Sequence, residues 1–317
     1  PAGRRNGARR IRFFSMIGQN EHSMEIPPVF RCPRCGRGLE IPEDAEGACC
    51  GGCGFEVQAH DGILLLVRDR AAIENAIRYA KQAGRQRWYE GEQAAQFAGP
   101  YRHHMRKRIA YLDSVFGEYA RGAGRALTGL DLCCGDGNNL GVLARHVPEL
   151  YACDYNIERL ARARRVPGVR RVFMAEALNL PVADAAFDMI LFNHALEHIA
   201  DDAGALAQAH RALKPGGLCV LGVPNEGAAF WRLAYALQPR ARAESDHVHF
   251  YTAAAISEKC ARAGFTVTSV HHMGWGVPHW RLDSMVRGCK IVDDALEAAG
   301  RALLKSQATS LYLLLTK

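Results

Sequence analysis

The stretch LDLCCGDGNNL, residues 130–140, runs from a strand-like apolar start into a turn carrying Gly135 and Gly137, then into a helix-like segment from Asn138. Glycine lets the backbone come close to a ligand, and the first amides of a helix lack partners, so such a turn reads as a cofactor cradle. The chain around it is periodic. From Leu127 onward the short apolar runs ALTGLDLCC, ELYACD, VRRVFMA, FDMILFN and GLCVLGVP alternate with helix-like stretches beginning at Asn138, Asn156 and Asp201. This alternation predicts an α/β fold with a doubly wound, mainly parallel sheet, of seven strands once FTVTSVHH and the terminal TSLYLLLTK are added. A nicotinamide dinucleotide would call for G-x-G-x-x-G, and position 140 is Leu140, which disfavours that cofactor.

Acidic residues fall at the strand ends. Asp154 closes the second strand, Glu176 and Ala177 follow the third, and LKPGG precedes the fifth. In these residues the chain resembles the class I S-adenosylmethionine-dependent methyltransferases, specifically the type 11 group. Members of that group carry an LDLGCGTG-like first motif, LP and FD around strand four, LEH after it and LKPGG before strand five. The resemblance covers about Leu127 to Val270 and implies S-adenosylmethionine as cofactor. It places Asp131, Gly135, Asp136 and Gly137 in the loop around the methionine part. It makes Asp154, with Tyr155 beside it, the acceptor for the ribose hydroxyls. Glu176 would accept from the adenine amino group beside the Ala177 amide, and Asn193 would lie near the sulfonium. One departure is Cys133, where the family usually has glycine. Cys133 and Cys134 are read as small packing residues rather than nucleophiles.

The N-terminal part carries a different signal. RCPRCGRGLE, residues 31–40, holds Cys32 and Cys35 two residues apart, and Cys50 and Cys53 repeat the spacing after a fourteen-residue gap, each pair followed by glycine. That pattern predicts a zinc ribbon with one structural tetrahedral Zn²⁺, because four thiolates close the coordination shell and leave no position for substrate. Cys49 is a spare thiol. The following GFEVQAHDGILLLVRD reads as a hairpin packed over the metal site.

The expected organisation is a disordered leader over residues 1–25, the zinc ribbon over 26–68, a helical linker or lid over 69–125, and the methyltransferase domain over 126–317, with insertions near 225–250 and 272–307. Helical spacing is read over 71–83 and 103–120. Met24 is read as a natural start. The net charge is +7, but residues 1–23 hold five arginines and one glutamate, which leaves only +3 for the remainder and little support for a nucleic-acid partner. No apolar stretch approaches the length of a membrane helix and no signal peptide is evident, so a cytoplasmic protein without a membrane partner is expected. The scattered cysteines, Cys133, Cys134, Cys153, Cys219, Cys260 and Cys289, fit a reducing compartment.

Methyl transfer to a hydroxyl needs a base, and histidine is the usual candidate. His194 and His198 lie in FNHALEHI beyond strand four, and His247 and His249 lie in ESDHVHFYT, where alternation would put both on one face. The preferred acceptor is an O or N atom of a small-molecule metabolite, because the tryptophan-bearing insertions could roof a pocket. The alternative is methylation of a ribosomal or transfer RNA base. There the ribbon and the aromatic, basic stretch at 85–108 would contact RNA, as in certain ribosomal-RNA guanine methyltransferases that begin with such a ribbon. NHAL after strand four is not the Asp/Asn-Pro-Pro-aromatic motif of exocyclic-amine methyltransferases, and no Pro-Cys pair of the cytosine-C5 kind occurs. Protein methylation, or a non-catalytic scaffold with the ribbon docking a protein partner, ranks last.

Overall fold

The computed structural model describes residues 29–42, 45–82, 97–243 and 245–317. The leader and residues 85–96 of the aromatic, basic stretch lie outside them. The N-terminal part gives β1 (Phe30–Arg31), β2 (Gly38–Leu39), β3 (Gly47–Cys49), β4 (Glu56–His60) and β5 (Ile63–Leu65). Helices α1 (Arg70–Ala80) and α2 (Arg102–Ala123) follow, near the two expected helical stretches. Gly124, with φ 62°, ends α2 in the left-handed conformation that glycine adopts without strain.

The alternating core then runs β6 (Thr128–Leu132), α3 (Leu140–Leu143), β7 (Glu149–Asp154), α4 (Ile157–Ala163), β8 (Val169–Met174), β9 (Phe187–Asn193), α5 (Asp202–Ala212) and β10 (Leu213–Pro224). Side chains cap two of these helices. Asn156 accepts from the amides of Glu158 and Arg159, and Asp201 accepts from that of Gly204. The LKPGG glycines sit in a register break within β10 rather than ahead of it. The insertion near 225–250 supplies α6 (Ala229–Leu237) and α7 (Pro239–Ala243); α8 (Ala253–Arg262) and β11 (Thr266–Met273) follow, and the insertion near 272–307 supplies α9 (Trp280–Arg287) and α10 (Lys290–Leu303), before β12 (Ser310–Thr316).

Ten of the described strands form one sheet in the order β11-β12-β10-β9-β6-β7-β8-β5-β4-β3, while β1 and β2 pair antiparallel in a separate two-stranded sheet. The seven strands expected from the alternation are the first seven. All their pairings from β10 to β8 are parallel, and β12 runs antiparallel between β10 and β11. The apolar runs of β6, β9 and β10 are buried along nearly their whole length, as strands covered on both faces must be. The chain leaves β6 for β7 and β8, then returns to β9 on the other side of β6. This reversal is the switch point at which parallel sheets bind ligands outside their carboxyl ends.

The other three strands belong to the cysteine-bearing module and extend the same sheet. β4 and β5 form a hairpin whose turn residues Asp61 and Gly62 both have positive φ, 49° and 70°, the geometry that suits a right-twisted two-residue hairpin. β5 then pairs parallel with β8, with Leu64 opposite Phe173 and Leu65 opposite Met174. On one sheet face the Phe30 ring meets Phe173 edge-on at 5.2 Å and Tyr151 at 5.8 Å, so module and sheet share a core. Among the described residues, no helix is long and apolar enough to cross a membrane.

Candidate functional site

The carboxyl ends of β6 to β9 open on a cavity of about 790 Å³. β7 delivers Asp154 to its wall. One carboxylate oxygen accepts the Gly135 amide at 3.0 Å and the other the Asn156 amide at 2.9 Å, so the acid braces the glycine turn and the start of α4 together. Burial raises the Asp154 carboxyl above its ordinary range, against the pull of those amides. Tyr155 lies beside it on the cavity wall, and past β8 so do Glu176 and Ala177, with the Glu176 side chain exposed. From β9 come Asn193, whose Oδ1 is buried without a hydrogen-bond partner, and His194. A Cβ at Gly222 would stand 2.2 Å from that Oδ1, so the neighbouring strand keeps room for Asn193 only as glycine.

Other residues of the glycine turn are placed differently from Gly135. Asp131 is 1% exposed, does not line the cavity, and has an orphaned Oδ2; burial, then the nearby Asp154, pushes its carboxyl well up. Asp136 faces Arg162 at 3.0 Å and Arg159 at 3.8 Å. Gly137, with φ 81°, packs on α4, where a Cβ would sit 2.9 Å from Ala163 Cα. Gly137→Ala is therefore expected to cost about 2–4 kcal/mol of stability through positive φ and overpacking, read from urea melts. Asn138 and Asn139, which the spacing did not single out, line the cavity instead. Cys133 has φ 60°, which accounts for the usual glycine at that position. Cys133 and Cys134 also line the cavity, and burial pushes both thiols well up, away from the thiolate form.

The four histidines separate. His194, in a left-handed conformation with φ 51°, lies in the cavity wall with Nε2 lacking a partner, and burial lowers its imidazole. His198 and His247 also line the cavity and meet edge to face, with ring centroids 4.7 Å apart. His247 Nδ1 is 2.7 Å from Glu226 Oε2; burial lowers this imidazole, but Glu226 outweighs it and the net shift is upward. His249 turns away to the carbonyls of Ile199 and Ala200, at 3.0 and 3.2 Å, so His247 and His249 do not share a face. Nor do Trp231 and Trp275 line the cavity. Trp275 is buried, hydrogen-bonded to the Leu304 carbonyl and pressed against Gly300, while Ser245, Asp246 and His247 supply the wall from that side. From α2, Arg108 reaches the wall and donates from Nε to Tyr312 Oη at 2.6 Å.

At the other end of the sheet, Cys32, Cys35, Cys50 and Cys53 bring their sulfurs within 4.8 Å of one another, with Cys32 to Cys53 and Cys35 to Cys50 both at 3.6 Å. Four thiolates around one zinc are about 3.8 Å apart, so the set fits a tetrahedral ion. The two turns are alike. The Gly36 amide donates to the Cys32 carbonyl and the Gly54 amide to the Cys50 carbonyl, at 2.8 and 2.9 Å, and both glycines have positive φ. Chiefly through the Gly52 amide, the Cys50 thiol is lowered to about 6.

A mainly parallel sheet with a cavity at its switch point defines a doubly wound α/β fold. Residues 101–270, more than half of the chain, match the family described as "Methyltransferase domain", and the chain belongs to that family. It is similar to an uncharacterized 37.1 kDa protein in a transposon of Streptomyces fradiae, 39% identical over 103 residues, 30% of each chain. It is also similar to the demethylmenaquinone methyltransferase of Thermobifida fusca, 29% identical over 199 residues, 58% of this chain and 79% of that one. The chain spans 30% and 66% of the length of the first two curated relatives it matches. Among solved structures, an S-adenosylmethionine-dependent methyltransferase from Mesorhizobium loti aligns at 19% identity and a TM-score of 0.45, over 61% of this chain and 91% of that one.

Proposed function

We propose that the protein transfers a methyl group from S-adenosylmethionine to an oxygen or nitrogen atom of a small molecule. The observation that carries this reading is the convergence of Asp154, Glu176 and Asn193, from three successive strand ends, on one cavity of about 790 Å³. That volume lies within the roughly 300–1,000 Å³ of small-molecule sites. The wall suits a cationic cofactor, since Asp154, Glu176, Glu197 and Asp246 face only Arg108 and Arg159 among the described lining residues. Bound S-adenosylmethionine supplies an activated methyl carbon on a sulfonium. Asp154 would hold the ribose hydroxyls, Glu176 and the Ala177 amide the adenine, and the Gly135 turn the methionine part. Asn193 and His194 then border the acceptor. His194 Nε2, buried without a partner, would take the proton that the acceptor heteroatom gives up. The quinone named for the Thermobifida relative supports a small acceptor. The four cysteines would hold one structural zinc.

If His194 is the base, His194→Ala should lower kcat about 10²- to 10⁴-fold with cofactor affinity kept. His249→Ala, outside the cavity, should change kcat less than about threefold. Comparable losses in both variants would remove His194 from the mechanism. The class of acceptor is tested by incubating the protein with methyl-labelled S-adenosylmethionine and host lysate, then separating small molecules, RNA and protein. Label in the small-molecule fraction is expected, and label confined to RNA or protein would overturn the reading.

A further inference from the structure

Among the described residues, one group of side chains besides the cysteines is arranged as metal ligands are. Glu197, His198 and His247 each bring a donor atom within 4.8 Å of the others, on the cavity wall. We propose that these three residues bind a divalent cation that prefers nitrogen and oxygen donors, of the Mn²⁺, Fe²⁺ or Co²⁺ kind, beside the methyl acceptor.

The buried carboxylate is the first reason. Glu197 is 1% exposed, its Oε2 has no hydrogen-bond partner, and its ion-pair partners among the described residues are both imidazoles, His194 at 3.5 Å and His198 at 3.9 Å. A carboxylate taken out of water without a permanent cation beside it is costly, and a metal ion supplies both the charge and a partner for the open oxygen.

The imidazoles are held as metal-binding imidazoles are. His247 points Nδ1 at Glu226 Oε2, 2.7 Å away, and His198 has Nδ1 3.3 Å from Asp246 Oδ1 and Nε2 toward Glu197. A carboxylate on the far nitrogen orients the ring and raises its basicity toward a metal, which is the usual outer layer of such sites. Glu226 is itself fixed, 2% exposed and bonded by Tyr235 Oη, so this layer is built rather than incidental. The amides of Val248 and His249 donate to the Glu197 carbonyl at 2.8 and 3.3 Å, which ties the His247 loop to the segment carrying the other two ligands. Donors sharing one ion at about 2.1 Å stand roughly 3.0–3.5 Å apart, so a closure of about an ångström completes the set. Two imidazoles and one carboxylate leave positions open for oxygen ligands, which would select an acceptor presenting a hydroxyl or enolate oxygen. The acceptor's position beside the ion rests on the methyl-transfer reading; the coordination chemistry does not.

The test is a Mn²⁺ titration of the full chain with zinc retained at the four cysteines, followed by electron paramagnetic resonance, since Mn²⁺ favours nitrogen and oxygen over the four-thiolate cluster. One saturable Mn²⁺ per chain is expected. Binding should be lost in Glu197→Gln and weakened about 10- to 100-fold in Glu226→Gln, which removes only the outer carboxylate. Circular dichroism checks the fold of each variant, and His198→Gln replaces Glu197→Gln if that variant unfolds. Absence of saturable binding, or binding unchanged in the ligand variants, overturns the proposal. S-adenosylmethionine calorimetry on the same samples reads the cofactor assignment separately, so a protein that binds the cofactor but no Mn²⁺ sinks the metal site alone.

Discussion

Asp154→Ala is expected to weaken S-adenosylmethionine binding by about 1.5–3 kcal/mol, roughly 10- to 150-fold in Kd by calorimetry. The side chain has two jobs at once. In the protein alone its oxygens hold the Gly135 and Asn156 amides, and with cofactor they would also receive the ribose hydroxyls. Alanine removes the charge, the acceptor and the brace on the glycine turn. Asp154→Asn keeps a carbonyl oxygen and so separates these effects: a loss close to that of alanine places the energy in the charge, whereas a small loss places it in the brace. Unchanged affinity in both variants would overturn the assignment of Asp154 to the cofactor.

Stripping the metal expected at the four cysteines should lower the thermal midpoint of the whole chain, not of a detached module. Structural zinc supplies about 10–16 kcal/mol to isolated zinc-finger peptides near neutral pH. Here the thiolate turns flank Phe30 and Phe55, which pack into the same core as Phe173 and Phe187, and β5 borders β8. A fall on the order of 10 °C in a single transition is expected after chelation, with one zinc per chain by elemental analysis beforehand. Cys50→Ser should reproduce it. A separate early transition, with the main one unmoved, would mean that the module melts independently, and a folded chain free of metal would refute the zinc assignment.

Much of the sheet was readable from the chain because each buried parallel strand writes itself as a short apolar run and each capped helix begins at a residue such as Asn156 or Asp201. The resemblance implied a doubly wound, mainly parallel sheet, and the order of its strands on either side of the switch point came from the structure. What stayed hidden was set by packing between distant segments. Nothing in ILLL at 63–66 names Phe173 as its neighbour, so the hairpin was readable but its continuation of the sheet was not. Within the glycine turn, spacing marks which residues lie in the loop but not which way they point. The fit of Gly137 onto Ala163 and the pull of Arg162 on Asp136 rotate those two away from the cavity and leave Asn138 and Asn139 facing it. In LEH the residue type points to the histidine as the candidate base. Glu197 became notable only once its burial and its open oxygen were visible.

The pairing of β5 with β8 also orders events in time. During synthesis the cysteine turns leave the ribosome before β8, and with the proposed zinc they would form as a local unit. Leu64 and Leu65, however, must wait for Phe173 and Met174, more than a hundred residues later. At about 5–20 residues per second that interval is several seconds, during which an apolar strand stands without its neighbour. Long-range parallel closure of this kind is slow, so the early metal-bound turns would act as a tether that keeps the waiting strand in its hairpin until the sheet edge arrives.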